Sequence, residues 1–212
     1  MGVALKRESS PDDVVSSENE ELILVDAEDR EVGFSSKASC HDRQGILHRA
    51  FSLFVFNRDG ELLLQKRGAD KRLWPMYWSN SCCSHPRRGE KMDDAIHRRL
   101  YQELRIRSQL RYLYKFQYQA DFGNAGCERE MCWVYAGISN DPVRANSTEI
   151  DRWRFISTQA LDHELASRPE RFTPWFKLEW PLVRMHFFGS MSRLEYLLTR
   201  ATADRAAAGG LA

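Results

Sequence analysis

The sequence lacks the features typical of membrane, secreted and nucleic-acid-binding proteins. No apolar run approaches the roughly 20 residues that a membrane span needs, and residues 1–21 contain no apolar core of a signal peptide. The formal net charge is only +1 and no basic block occurs, so a nucleic-acid partner is not indicated. We therefore expect a cytoplasmic protein with no membrane span and no nucleic-acid partner.

Cysteine is scarce and irregularly spaced. The five cysteines are an odd number, and their spacing does not indicate the disulfide framework of a small secreted domain. No spaced Cys-x-x-Cys pairs occur either, which weakens the case for a structural zinc site. Such a site could be assembled from nitrogen and sulfur ligands, and it remains an alternative: Cys40, His41, Cys82, Cys83 and His85.

The composition is that of a soluble globular protein. Hydrophobic residues make up 42% and charged residues 29% of 212 residues, enough for one domain with a buried core. Residues 1–20 are polar and contain Pro11, so we predict a disordered N-terminal extension. A single domain is expected over residues 21–200, and the low-complexity residues 201–212 are expected to form a flexible tail.

The order of predicted elements favours a mixed domain. Two apolar segments flank Asp59-Gly60, a pair of residues typical of a tight hairpin turn. Strands are predicted at 22–25, 32–34, 50–56, 61–66, 111–120, 128–138 and 152–156, and helices at 92–104, 158–167, 175–188 and 190–200, with an interruption at Pro181. Strands, one central helix, more strands and then helices indicate an α+β or mixed α/β single domain.

The stretch from Trp78 to Leu104 combines a thiol, an imidazole and a carboxylate. Cys83 and His85 lie in a loop or short strand, and Glu103 lies on the helix that follows. The helix repeats apolar residues every four positions, and Glu103 falls on or beside that apolar face. A single glutamate at such a position is more often a solvated edge residue, but its neighbours favour a metal site and proton chemistry.

Histidines and acidic residues elsewhere could supply the remaining metal ligands. Glu128 and Glu130 alternate on one predicted strand, so both carboxylates face the same side of the sheet. Buried acids of this kind need a cation or a proton to neutralise them. Three imidazoles with these two carboxylates would suit Mn²⁺, Mg²⁺ or Zn²⁺. The candidate ligands are His41, His48, His85, Glu128 and Glu130.

Basic residues follow or precede predicted strands near the central stretch. Arg67 and Lys71 lie in the loop RGADKR, and Lys37 lies earlier in the chain. Basic side chains on loops at strand ends can bind a diphosphate through charge-assisted hydrogen bonds. For any single lysine taken alone, ordinary surface charge is the better interpretation.

Several motifs together resemble one enzyme family. The motifs are Cys40-His41, His48-Arg-Ala-Phe-Ser, Asn80-Ser-Cys-Cys-Ser-His-Pro86, Gly89-Glu90, Glu128-Arg-Glu130 and Thr173-Pro-Trp175. They are similar to type I isopentenyl-diphosphate Δ-isomerases over residues 22–180. The resemblance implies an α/β (α+β) sandwich of the Nudix type, a mixed sheet with a central helix and flanking C-terminal helices.

The resemblance also implies a reaction and its residues. The family converts isopentenyl diphosphate to dimethylallyl diphosphate. A proton is added to the terminal methylene, and another is removed from the carbon next to the one that bears the diphosphate. Catalytic positions match Cys83, Glu130 and Tyr118, and the resident metal ion would be bound by His41, His48, His85, Glu128 and Glu130. Glu103 matches the ligand of a second ion, a Mg²⁺ that arrives with the substrate near Cys83. Substrate-binding positions match Lys37, Arg67, Lys71, Arg99 and Trp175.

The two cysteines at 82–83 are distinguished by their position. Neighbouring residues of an extended segment point to opposite sides, so only one thiol should face the substrate. The offset to His85 favours Cys83, which leaves Cys82 to packing.

Two other functions remain open at the level of sequence. Hydrolases of the Nudix type carry an acidic helix, R-E-x-x-E-E-x-G, whereas this chain reads RRLYQELR at 98–105. It keeps Glu103 alone of those acids and has Arg105 where glycine is usual, which disfavours a Nudix diphosphate hydrolase. A metal-stabilised binding domain without enzymatic activity is the third possibility. The expected partner is a small prenyl diphosphate, and the chain is expected to be a monomer or a homodimer.

Overall fold

The computed structural model describes residues 13–189. The predicted helix at 190–200, the predicted tail at 201–212 and most of the predicted N-terminal extension lie outside the described residues. The other predicted helices and strands can be compared with the structure.

Nine strands of the described chain form one mixed sheet. The neighbours β3 and β8 run parallel from His48↔Glu130 to Phe56↔Ile138, and the other pairs are antiparallel. The strands are β1 (Glu21–Val25), β2 (Glu31–Ser36), β3 (His48–Phe56), β4 (Leu62–Arg67), β5 (Trp78–Ser79), β6 (Cys82–Ser84), β7 (Gln109–Asp121), β8 (Cys127–Ile138) and β9 (Ile150–Ile156).

Four α-helices accompany this sheet in the described residues: α1 (Lys37–His41), α2 (Met92–Leu104), α3 (Thr158–Ser167) and α4 (Pro174–Val183). Serine side chains cap two of them, as Ser36 accepts from the Ser39 amide and Ser157 from the Ala160 amide. The expected fold class, a mixed sheet with a central helix and flanking C-terminal helices, is confirmed.

The alternation of side chains along β3 creates two hydrophobic cores. Phe51, Leu53 and Val55 pack with the apolar face of α2, while Phe54 and Phe56 pack with α4 on the opposite face of the sheet. Strand β4 divides its leucines in the same way. The β3–β4 turn forms where expected, with Gly60 at φ +76°. The sheet is therefore a middle layer covered by helices on both faces.

Helix α4 differs from its predicted form. An interruption was expected at Pro181, but the helix contains this proline and continues to Val183, after which Arg184–Phe188 form a wider π-helical turn. The proline removes one backbone donor, and the backbone irregularity appears only after residue 183.

Residues 13–20 pack against the domain, although disorder was expected for them. Val15 is buried, its carbonyl accepts from Arg99 at 2.6 Å, and Ser16 accepts from Lys37 at 2.6 Å. The carbonyl of Asp13 accepts from Asn146 at 2.8 Å. The polar composition gave no sign of the contacts of Val15 and Asp13 with Arg99 and Asn146, because these two hydrogen bonds use backbone carbonyls, which any sequence supplies.

Within residues 13–189, no helix is long and apolar enough to cross a membrane.

Candidate active site

Four separate parts of the chain bring the predicted metal ligands together. His41 ends α1, His48 begins β3, and His85 follows β6 directly. Because β3 and β8 are parallel neighbours and His48 pairs with Glu130, the strand carboxylates meet the histidines at one end of the sheet. One ligand atom from each residue lies within 4.8 Å of the others in the set His41, His48, His85, Glu128 and Glu130.

Backbone carbonyls fix the histidine rings. Nδ1 of His41 lies 2.7 Å from the Lys37 carbonyl oxygen, and Nδ1 of His48 lies 2.7 Å from that of Ile46. A carbonyl can only accept, so Nδ1 carries the proton and Nε2 of a neutral ring is left with a lone pair. Metal-binding histidines are commonly oriented by such a bond on the other ring nitrogen.

Opposite charges shift the pKa values within the cluster. Burial disfavours the charged form of His41, but Glu128, 2.8 Å from its Nε2, outweighs burial and raises the pKa to about 9. For His85, burial together with the neighbouring His48 lowers the pKa well below its usual value. Burial also opposes the charge of Glu130, yet His48 and Tyr118 hold the pKa of this carboxyl below its usual range.

The cluster fits a divalent cation. Nε2 of His48 is fully buried and has no hydrogen-bond partner among residues 13–189. A buried nitrogen lone pair without a partner is unfavourable, and a metal ion would satisfy it. Two carboxylates supply negative charge beside three imidazoles, which is a donor set for a divalent ion. These five residues could therefore hold a metal.

A cavity of about 350 Å³ opens beside the cluster. Its volume falls in the range of small-molecule sites. All of the predicted site residues line it except two, Glu103 and His48. His48 lies behind the other ligands. On one side, the Tyr118 hydroxyl donates to Glu130 at 2.7 Å, which orients this carboxylate.

Cys83 lines the same cavity and is held by two polar side chains. Its thiol donates to Oδ1 of Asn80 at 2.8 Å and lies 3.5 Å from the Ser52 hydroxyl. The Asn80 amide is itself fixed because its nitrogen donates to the carbonyls of Leu53 and Cys82. Burial, with Glu179 nearby, raises the pKa of the Cys83 thiol above its usual value.

The neighbouring thiol of Cys82 lies on the opposite face of β6. Cys82 is fully buried in the core beneath α2, whereas Cys83 packs against the core beneath α4. The expected division of the two cysteines is confirmed: one thiol belongs to the cavity and the other to packing.

Five cationic side chains line the cavity. Four are the predicted substrate-binding residues Lys37, Arg67, Lys71 and Arg99, and the fifth is Arg72. Glu149, which no sequence pattern singled out, forms ion pairs with Lys71 and, at 3.3 Å, with Arg99. Burial opposes the charge of Glu149, but Lys71 and Arg99 hold the pKa of its carboxyl below the usual value.

The Arg99 side chain is more deeply buried than an arginine of an open anion-binding site would be. Its side chain is 3% exposed and pairs with Glu103, one turn later on α2. Glu103 is equally buried and lies behind Arg99 rather than on the cavity surface. A metal ion or the substrate could therefore reach Glu103 only if Arg99 moved away or stayed bound to the same carboxylate.

Trp175 forms an aromatic part of the cavity wall. Its Nε1 donates to the Ser79 hydroxyl at 3.1 Å, and Tyr118 lies 6.2 Å away between ring centroids. The Arg67 guanidinium lies 5.2 Å from the indole centroid, so a cation already contacts this ring. Helix α4 begins at Pro174, which fixes Trp175 in its first turn.

Some residues at the site were missed at the level of sequence. Asn80 lies three residues before Cys83 in the same quoted motif, so its proximity to the candidate thiol was a usable signal, whereas Ser52 belongs to a different motif and had none. The cavity contacts of Val14, Ser16 and Glu18 had no such signal.

Comparison with known proteins agrees with the fold. The NUDIX domain family model matches residues 46–176. Among solved structures, DR0079 from Deinococcus radiodurans has a TM-score of 0.63 at 22% identity, covering 79% of this chain and 99% of that one. A MutT protein from Methanosarcina mazei has a TM-score of 0.55 at 15% identity, covering 68% and 96%. The chain therefore has a Nudix fold.

Curated relatives identify the family within the Nudix fold. The chain is 39% identical to isopentenyl-diphosphate Delta-isomerase 1 of Photorhabdus laumondii, covering 79% of this chain and 97% of that protein. Identity to the isopentenyl-diphosphate Delta-isomerase of Burkholderia multivorans is 41%, covering 74% and 89%. The Serratia proteamaculans enzyme of that name is 40% identical, covering 74% and 88%. The chain belongs to the isopentenyl-diphosphate Delta-isomerase family.

Proposed function

We propose that the protein converts isopentenyl diphosphate to dimethylallyl diphosphate for isoprenoid biosynthesis. The observation that carries this proposal is a single cavity that is lined by Cys83, Glu130 and Trp175 and also by five cationic side chains. Proton-transfer groups and an aromatic surface suit the alkene, and the cations suit the diphosphate. Membership of the isomerase family supports the same reaction.

The diphosphate is assigned to the cationic part of the cavity. Lys37, Arg67 and Lys71 would bind its oxygens through charge-assisted hydrogen bonds. Glu149 holds Lys71 in the structure, so the anion would compete with this carboxylate. Arg99 would contribute mainly through its charge, because its side chain is buried between Glu103 and Glu149.

Two divalent ions are proposed. The ligands of a resident Mn²⁺, Mg²⁺ or Zn²⁺ would be His41, His48, His85, Glu128 and Glu130. Glu103 would bind a Mg²⁺ that enters with the diphosphate. When bound, a divalent ion favours the ionised form of a carboxyl group that it contacts, which makes the corresponding acid stronger.

Cys83 and Glu130 are assigned to the two proton transfers. One group protonates the terminal methylene to give a tertiary carbocation, and the other removes a proton from the carbon nearer the diphosphate. The substrate gains one proton and loses one proton, so the reaction is balanced. Tyr118 orients Glu130, and Asn80 with Ser52 orients Cys83.

Trp175 is assigned to the carbocation. A desolvated cation facing an indole ring is stabilised by on the order of 2 kcal/mol. The ring is 3% exposed, and its neighbours Trp74 and Tyr118 are also buried. Such a wall limits the access of water, which would otherwise capture the cation as an alcohol.

Nudix-type hydrolysis of a diphosphate is the alternative function, and the central helix argues against it. The buried residues of α2 include one carboxylate, Glu103, and Arg99 pairs with it. Hydrolysis through several metal ions would need a larger group of acids on this helix.

Proton NMR tests the proposal directly. The protein would be incubated with isopentenyl diphosphate and Mg²⁺ in D₂O. We expect dimethylallyl diphosphate with deuterium in the new methyl group. Release of phosphate without this product would contradict the isomerase and favour the hydrolase.

A further inference from the structure

Glu179 is the least expected charged residue of the described chain. It lies on α4 and is fully buried. Among residues 13–189, no lysine, arginine or histidine pairs with it, and its Oε2 has no hydrogen-bond partner. An isolated buried carboxyl group is costly and is retained at few positions without a function.

The position of Glu179 relates it to the cavity. Residues four apart on a helix lie on the same face, so Glu179 follows Trp175 on the side of α4 that faces the sheet. The Cys132 sulfur lies 3.5 Å from Oε1 of Glu179 and 3.4 Å from the Ser52 hydroxyl oxygen, both within hydrogen-bond distance for sulfur. The Ser52 hydroxyl in turn lies 3.5 Å from Cys83. A short polar chain thus connects Glu179 with the cavity thiol.

We propose that Glu179 is a positioning residue for the isomerase reaction, whose carboxyl group acts through Cys132 and Ser52 to hold Cys83 in place. This role rests on the function proposed above. Glu179 does not line the cavity itself, so it does not touch the substrate and its effect passes through Ser52.

The surroundings of Glu179 favour a neutral carboxyl group. Burial raises its pKa to about 8, and Glu130 adds to the rise, while Ser52 and Cys132 lower it by hydrogen bonding. The other titratable groups near it are Tyr114 of β7, whose hydroxyl donates to the Glu179 backbone carbonyl, and Cys83 of β6. These partners are hydroxyl, thiol or carboxyl groups, and none supplies a positive charge.

Substitutions of Glu179 and Ser52 test the role in the full chain with its metals. In Glu179→Gln a neutral polar group is kept, so we expect kcat within about threefold of wild type near pH 7. In Glu179→Leu the polar end is removed, so we expect kcat to fall about tenfold or more while KM changes less than twofold. Ser52→Ala should cause a similar loss, and the double variant Ser52→Ala/Glu179→Leu should be no worse than either single variant.

A matched control is Glu164→Gln, which neutralises a carboxylate of α3 that pairs with Arg154 away from the cavity. Its kcat should be unchanged. Normal kcat in Glu179→Leu would show that Glu179 only fills space and would overturn the proposal. Loss of turnover in Glu179→Gln would also overturn it, because an ionised group would then be required.

Urea unfolding provides a measurement that does not depend on turnover. The folded protein favours protonated Glu179, whereas the unfolded chain ionises it near 4.5, so this residue makes stability fall as pH rises from about 4.5 to about 8. We expect the unfolding midpoint of wild type to fall relative to that of Glu179→Gln between pH 5.5 and 8.5. Parallel curves for the two proteins would contradict a neutral carboxyl group.

The two proposals fail in different ways. Wild type that leaves isopentenyl diphosphate unchanged would overturn the isomerase and, with it, this role of Glu179. An active wild type with an equally active Glu179→Leu would overturn the role alone.

Discussion

The two residues proposed for proton transfer lie in opposite chemical surroundings at one cavity. We call the group of residues around Glu130 the histidine wall, which consists of His41, His48, His85, Tyr118, Glu128 and Glu130. We call the group of residues around Cys83, part of which lies behind the cavity surface, the thiol wall, which consists of Ser52, Asn80, Cys83, Cys132 and Glu179. The histidine wall combines imidazoles with carboxylates, whereas the thiol wall has no positively charged member.

The difference indicates how each group is controlled. On the histidine wall, opposite charges lower the pKa of Glu130 despite its burial. On the thiol wall, burial dominates and raises the pKa values of Cys83 and Glu179. The first wall is suited to a charged state and a cation, and the second to neutral groups fixed by hydrogen bonds. Substitutions should therefore affect the two walls differently.

The largest effect is expected from removing either proton-transfer group. Cys83→Ala and Glu130→Gln should each lower kcat by about 10³-fold or more, because each takes away one of two required proton transfers. Conversion of isopentenyl diphosphate, followed by NMR, measures the effect. Cys82→Ala is the control, since its thiol lies in the core beneath α2 and should leave most of the activity. Equal losses at Cys82 and Cys83 would show that the wrong thiol was assigned.

A somewhat smaller effect is expected from weakening the metal site of the histidine wall. His48→Ala removes a buried nitrogen that has no hydrogen-bond partner among residues 13–189, so bound metal and kcat should each fall on the order of 100-fold. Metal content by mass spectrometry of the dialysed protein, together with activity, measures this.

The matched control is His97→Ala, which removes an exposed imidazole from α2. Chelation by EDTA should lower the thermal midpoint of wild type more than that of His48→Ala, because bound metal stabilises the folded state. An equal decrease in the two proteins would indicate that His48 does not bind the ion.

An intermediate effect is expected where the two walls meet at the aromatic ring. Trp175→Leu should lower kcat about 30-fold, which corresponds to losing a cation–π contact on the order of 2 kcal/mol. Because the contact would form only with the carbocation, KM should change little. Trp153→Leu, at a half-exposed tryptophan of β9, is the control. An increase in KM without a change in kcat would place Trp175 in substrate binding instead.

The sequence revealed the histidine wall more fully than the thiol wall, for a physical reason. Metal ligands must be histidines, cysteines or acids, so residues such as Glu128 and Glu130 were recognisable from type and spacing. Positioning groups are ordinary residues whose importance comes from packing. Ser52 reads as one more strand residue, and Glu179 reads as a polar residue on a helix. Only the fold brings both of them near Cys83.

Backbone geometry was also only partly predictable. The hairpin at Gly60 followed from glycine's freedom to adopt positive φ. The C-terminal end of α2 did not, because an arginine gives no sign of a left-handed residue. Arg105 nevertheless adopts the left-handed conformation, with φ 60° and ψ 19°. Its amide donates to the Tyr101 carbonyl, so the helix ends in a conformation that favours glycine with an arginine at that position.

The smallest expected effect follows from that helix end, which lies away from both walls. Arg105→Gly should stabilise the fold by up to about 1 kcal/mol, because glycine adopts positive φ without a Cβ penalty. The gain is reduced by the greater entropy of glycine in the unfolded chain and by loss of the Arg105 stacking on Tyr101, at 5.2 Å from its centroid. Urea unfolding would measure the change in stability, with kcat unchanged.

Arg107→Gly is the matched control because Arg107 also stacks on Tyr101, at 4.7 Å, but does not have a positive φ. This substitution should destabilise the fold. A lower midpoint for Arg105→Gly than for wild type would mean that the stacking outweighs the backbone strain.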